Sequence, residues 1–187
     1  MHFLRQIREY QALNEQEAAD RAAMLDYIQT YPATVNTRAC SLAHLTASSI
    51  IINPARDAML MVHHNIYNTW TWTGGHADGV EDLHAKALEE AAEESGLEVL
   101  RSLSLEIGSL DILPVRGHYK NGSWVSAHLH LNAAYIFEAD DRQPLRHKAG
   151  ENSAVRWIPL TQVAEYSGET DIVAVYDKLL LRLKHLS

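Results

Sequence analysis

Cysteine is nearly missing from this 187-residue chain, where Cys40 stands alone. That excludes an intrachain disulfide and any zinc site built mainly from thiolates. Long hydrophobic runs are missing too. The stretch ASSIII at 47–52 is brief, whereas a membrane-spanning helix takes about 20 apolar residues. The opening MHFLRQIREYQALNE contains no run resembling a signal-peptide core. The expectation is therefore a cytoplasmic protein with no membrane partner. Positive charge is outweighed, with 16 Lys and Arg against 24 Asp and Glu for a formal charge of -8. That balance argues against nucleic acid as the main partner. An acidic protein can still take an anionic small molecule, because a bound divalent cation reverses the local field.

What is present is an ordinary core-forming composition, 47% hydrophobic and 21% charged. Residues 1–40 read as a helical extension and 41–187 as the main domain. Asn14 followed by Glu17 matches a capping box, and Ala18, Ala22, Leu25 and Ile28 recur at helical spacing up to Tyr31-Pro32. This helix is expected to pack on the main domain, with a homodimer contact as the alternative. Segments 45–52 and 58–63 read as strands joined by a turn at 53–57, and a third short strand leads into Gly74-Gly75. DLHAKALEEAAEES, closed by Gly96, reads as a helix with a glycine stop. Strands follow near 98–112, then a turn at Asn121-Gly122 and a long strand within 125–139. In that strand His128, His130 and Asn132 alternate with Ala127, Leu129 and Leu131. A short strand at 155–158 and a helix over 172–186 close the chain. The fold class that emerges is α/β, with a mixed β-sheet sandwiched between helices.

Chemistry concentrates in GGHADGVEDLHAKALEEAAEESGLE, residues 74–98. At about 100° per residue, Glu90, Glu93 and Glu94 fall within one arc, opposite Ala87, Leu88, Ala91 and Ala92. Like charges at these spacings destabilise a helix by a few tenths of a kcal/mol per pair, and the dipole disfavours them near its C-terminus. Such a cluster makes sense where a hard cation, Mg²⁺ or Mn²⁺, completes it. A solvated acidic face is the bland alternative. Gly74, Gly75 and Gly79 supply turns where backbone can approach a ligand closely.

The stretch resembles the Nudix box, G-x5-E-x7-R-E-U-x-E-E-x-G-U, where U is a bulky aliphatic residue. Gly75, Glu81, Glu90, Glu93, Glu94, Gly96 and Leu97 match it without insertions. Two positions depart, Glu89 for the arginine and Ala91 for a larger aliphatic residue. The wider region 40–185 resembles a bacterial Nudix subgroup with a GGHADG turn. The resemblance implies the Nudix fold and hydrolysis of a diphosphate linkage in a nucleoside diphosphate derivative or related small molecule. It further implies Mg²⁺ or Mn²⁺ held by Glu90, Glu93, Glu94 and the Gly75 carbonyl. The general base would be Glu93 or Glu151. Replacing the arginine by Glu89 leaves open compensation by a distant Lys or Arg, or a catalytically weak or inactive nucleotide-binding or regulatory module.

His76, His128 and His130 are possible substrate contacts. The two-residue spacing of His128 and His130 resembles a metal pair, but no third ligand is identifiable from spacing alone. Trp70 and Trp72 suit sheet packing or base stacking. Cys40 has no local feature of a reactive thiolate and gives no support to an isopentenyl-diphosphate isomerase, another enzyme on the same fold.

Overall fold

The computed structural model describes residues 1–120, 122–168 and 170–186. Two helices, α1 (His2–Glu9) and α2 (Glu15–Thr30), precede β1 (Ala43–Ile52), β2 (Ala58–His64), β3 (Thr69–Thr71) and β4 (Thr73–His76). Helix α3 (Leu83–Ser95) leads to β5 (Arg101–Ser102), β6 (Ser109–Val115), β7 (His118–Lys120), β8 (Ser123–Val125), β9 (His128–Glu138) and β10 (Asn152–Pro159). Helices α4 (Val163–Ser167) and α5 (Thr170–Leu183) end the described chain.

The main sheet runs β10-β2-β1-β9-β5, with β3 on β2, β4 on β1 and β6 on β9. Among these pairings β1 with β9 is parallel. Every residue of β1 is buried, as expected of a central strand covered on both faces. Its alternation sends Ala43, Leu45, Ala47 and Ile51 into a cluster with Phe3, Ile7, Met24, Ile28, Leu83, Ala87 and Ala91. Ile50 and Ile52 enter a second cluster with Met59, Met61, Val175, Tyr176 and Leu179. Helices α1, α2 and α3 thus cover one face and α5 the other. The β1–β2 turn is held by Asn53, whose Oδ1 accepts the Asp57 and Ala58 amides.

The structure alters several sequence expectations. Asn14 does cap α2 by accepting the Glu17 amide, but Glu17 reaches back to the Leu13 amide, not to that of Asn14. The buried face of α2 is Glu17, Met24 and Ile28, while Ala18 and Ala22 face solvent. Met24 and Ile28 in the core and an ionic network at Glu17, not an alanine stripe, mark the inward face. Glu17 lies 3.2 Å from Lys178 Nζ and accepts from Tyr10 and Ser109. Helix α1, which no capping box announces in the sequence, buries Phe3 and Ile7 fully. The Asn121-Gly122 turn lies partly outside the described residues; beside it Lys120 pairs with Ser123.

Candidate active site

Helix α3 is fixed at both ends by local chemistry. Asp82 accepts the Ala85 amide, and Gly96 takes a left-handed conformation, φ 73°, that favours glycine. Between these caps the buried positions are Leu83, Ala87, Glu90, Ala91, Glu94 and Ser95. This corrects the expected opposition of acidic and apolar faces. Glu90 and Glu94 lie within the buried stripe, and Glu93 alone of the three is exposed. Glu81 also sits outside the helix, where it accepts the His2 amide.

Gly74 and Gly75 are not a turn. Both lie within β4, where Gly75 pairs with Ala47 and Gly74 with Ser48. Their lack of side chains still matters, because a Cβ on Gly75 would collide with the Glu90 carboxylate and one on Gly74 with Ser48. Gly79 is the member of the three with a positive φ, 93°. Glycine therefore lets helix and strand approach closely enough to place a carboxylate against backbone.

The three glutamates have different surroundings. Glu94 is 3% exposed, accepting the Gly74 amide at 2.8 Å and the Asn152 side-chain amide at 2.9 Å. No cationic side chain pairs with it among the described residues. Burial pushes its pKa up to about 7; the two amide donors oppose the shift, and the Glu90 and Glu151 charges add to it. Glu90 pairs with Lys86 at 2.8 Å. Glu93 pairs with Lys148 at 2.8 Å, and this hydrogen bond holds its pKa low. Lys148 also lies 3.2 Å from Glu151 and 3.8 Å from Glu90. One ammonium thus gathers both residues expected as alternative bases and a third carboxylate.

Sequence reasoning missed Lys148. Its partners come from α3 and from the turn before β10, so the grouping exists only after folding. Burial opposes its charged form, but the bonds to Glu93 and Glu151 outweigh that and leave its pKa raised. Glu89, at the arginine position of the box, faces Lys86 at 3.3 Å.

The histidines expected near substrate form a second grouping. His76 on β4 and His128 and His130 on β9 are joined by His44 on β1, which the sequence did not single out. Each offers a ring nitrogen within 4.8 Å of the others. Burial is the main cause that lowers the pKa of His44, of His76 to about 3 and of His130 to about 2. Of the tryptophans, Trp72 is buried in the second core cluster, and Trp70 stacks beneath the Arg156 guanidinium at 4.6 Å.

A strand glycine backed by buried helix carboxylates is a frame for divalent-cation chemistry, and the comparisons identify its class. The family model of the NUDIX domain matches residues 42–180. The chain belongs to the NUDIX domain family and is of the Nudix pyrophosphohydrolase type. Among solved structures, the dihydroneopterin triphosphate pyrophosphohydrolase of E. coli aligns with TM-score 0.56 and 12% identity over 74% of this chain and 95% of that one. The NUDIX domain of Shewanella oneidensis NrtR, complexed with ADP ribose, aligns with TM-score 0.54 and 18% identity over 83% and 97%. A NUDIX-family hydrolase from Clostridium perfringens aligns with TM-score 0.51 and 22% identity over 75% and 97%. At these identities the likeness is one of fold. A search of curated proteins finds no match.

Proposed function

We propose that the protein hydrolyses the diphosphate linkage of a nucleoside diphosphate derivative, with Mg²⁺ or Mn²⁺ held by Glu90, Glu93, Glu94 and the Gly75 carbonyl. The observation that carries this reading is Glu94. A carboxylate 3% exposed with amide donors and no ion pair is costly, because buried charges are normally paired or coordinate metals. An all-oxygen donor set suits a hard cation. When bound, such an ion neutralises the diphosphate, acidifies water and stabilises the leaving oxygen.

The remaining work falls to this chain's own groups. The Gly74 amide and Asn152 fix the Glu94 carboxylate, leaving further lone pairs on both oxygens. Gly75 leaves the space that Glu90 fills. Glu93 or Glu151 accepts a proton from the attacking water, and Lys148 positions both. Substrate enters from the exposed side of Glu93; His76, His128 and His130, the other contacts expected from the sequence, lie on the sheet face away from α3. Residues 1–40 serve as an extension docked on a catalytic domain spanning 41–187, and a homodimer and a cytoplasmic setting complete the proposal. A purely regulatory binding module is the second reading, favoured by Glu89 facing Lys86 where the box has arginine.

The test is a Mg²⁺- and Mn²⁺-dependent screen over ADP-ribose, nucleoside diphosphate sugars, dinucleotides and nucleoside triphosphates, scored by product identity. Turnover of at least one class, lost with EDTA, is expected. Glu93→Gln and Glu151→Gln assign the base, since general-base catalysis contributes about 10²–10⁴-fold. Tight binding without turnover across the screen moves the conclusion to the regulatory module. Near-wild-type rates for both variants remove both residues as base.

A further inference from the structure

We propose that His44, His76, His128 and His130 form a second metal site, one for a divalent transition ion of the zinc class, separate from the carboxylate site on α3. Sheet register assembles it. His44 on β1 is the parallel partner of His130 on β9. His76 on β4 pairs with Thr46, two residues along β1 from His44 and on the same face. His128 is two residues before His130, so it too shares that face.

Three observations point to an ion and not to imidazole packing alone. First, His44 is 5% exposed, and its Nε2 is buried with no hydrogen-bond partner. Its Nδ1 lies 2.9 Å from the Cys40 carbonyl. A carbonyl can only accept, so in the neutral ring Nδ1 carries the proton and Nε2 presents a lone pair inward. Second, His128 is arranged alike, with Nδ1 2.9 Å from the Ser126 carbonyl. Its Nε2 faces the His130 Nε2 at 3.3 Å. Histidine ligands are typically oriented in this way, by a carbonyl or carboxylate on the far nitrogen.

Third, the spacing suits a metal. Two nitrogens bound tetrahedrally at about 2.0–2.1 Å stand roughly 3.3–3.4 Å apart, the separation seen for His128 and His130. The four ring nitrogens lie within 4.8 Å of one another, so small side-chain rotations close the set. An all-imidazole set selects zinc, copper, nickel or iron over magnesium, which takes oxygen ligands. The site also lies against the first. His76 follows Gly75 in β4 and points to the opposite face of the sheet. An ion on the imidazoles would stiffen the strand whose glycine accommodates Glu90.

The proposal concerns binding and is independent of whether the protein hydrolyses anything. Its test uses full-length protein made without a polyhistidine tag, stripped with EDTA and titrated with Co²⁺ in excess Mg²⁺ to occupy carboxylate sites. One equivalent of Co²⁺ with intense visible ligand-field bands, displaced by Zn²⁺, is expected. X-ray absorption of the Zn²⁺-loaded protein should show imidazole scattering. A His44→Ala/His130→Ala double variant should lose at least 100-fold in affinity, while Glu90→Gln/Glu93→Gln retains the bands. Substoichiometric binding, an oxygen-only shell or undiminished affinity in the histidine variant overturns the site. If that variant does not fold, the wild-type absorption spectrum decides alone.

Discussion

Glu17 and Glu94 are both sealed from solvent, at 0% and 3% exposure, yet they are treated in opposite ways. Glu17 accepts from Tyr10, the Leu13 amide and Ser109, with Lys178 at 3.2 Å and Arg182 at 3.7 Å. Lys178 also bonds Asp111. Cations and donors from the segment between α1 and α2, from β6 and from α5 close around that carboxylate. Glu94 receives two amide donors and no cation. The first cluster is complete as the chain folds and joins the N-terminal helices to the sheet. The second is left short of positive charge, with Lys148 serving its more exposed neighbours Glu93 and Glu151. A buried carboxylate completed by protein is a structural element. One left incomplete is where the proposed ion would sit.

The sharpest way to break this contrast is to neutralise each carboxylate in turn. Glu94→Gln should cut metal-dependent turnover at least 100-fold, since even residues behind a ligand cost about 10–100-fold. Its metal-free stability should hold or rise, because the amide needs no counterion and Asn152 Oδ1 has no partner of its own. Glu17→Ala should do the reverse. It removes the buried acceptor of Tyr10, Ser109 and the Leu13 amide and breaks the pairs with Lys178 and Arg182, which should cost about 3–5 kcal/mol in denaturant unfolding, with turnover per folded molecule little changed. Equal stability losses in the two variants would erase the distinction.

Lys148 offers a smaller effect. Its ammonium competes with an added cation for Glu93 and Glu90, so Lys148→Met should tighten Mn²⁺ binding several-fold, read by calorimetry. Unchanged or weaker binding would remove it as a resident counterion.

A further difference between the two carboxylates lies in pH dependence. With Glu94 raised to about 7 from a usual 4.5, the folded state holds a proton that the unfolded chain has released. Its contribution is therefore full below about 4.5 and declines as pH rises through about 7. In EDTA, wild type should lose stability relative to Glu94→Gln across that window. A flat difference curve would show that Glu94 is not protonated when metal-free.

Legibility followed sequence distance. The box at Gly75–Leu97 is readable because its spacing lies within one strand, one loop and one helix, and it falls inside the residues 42–180 that the family model matches. Of the three glycines read as turns permitting close approach, Gly79 is in a turn, whereas Gly74 and Gly75 are strand residues; the closeness of Gly75 to Glu90 arises only when α3 packs on β4. Of the apolar face read on α2, Ile28 is buried and Leu25 packs on the core, while Ala18 and Ala22 face solvent, because alanine spacing says nothing of an ionic network contributed by residues 109, 111 and 178. His128 and His130 were visible as a pair. The third and fourth members, His44 and His76, lie 84 and 52 residues before His128 in the chain, and strand register alone brings them together.

The sequence by itself determined the class of fold, the carboxylate helix and its caps, because helical periodicity and capping are local consequences of residue order. Tertiary structure decided which carboxylate is buried without a cation, which lysine gathers the others and which four imidazoles meet. Those are questions of desolvation and of distance between strands, and neither exists until the sheet has formed.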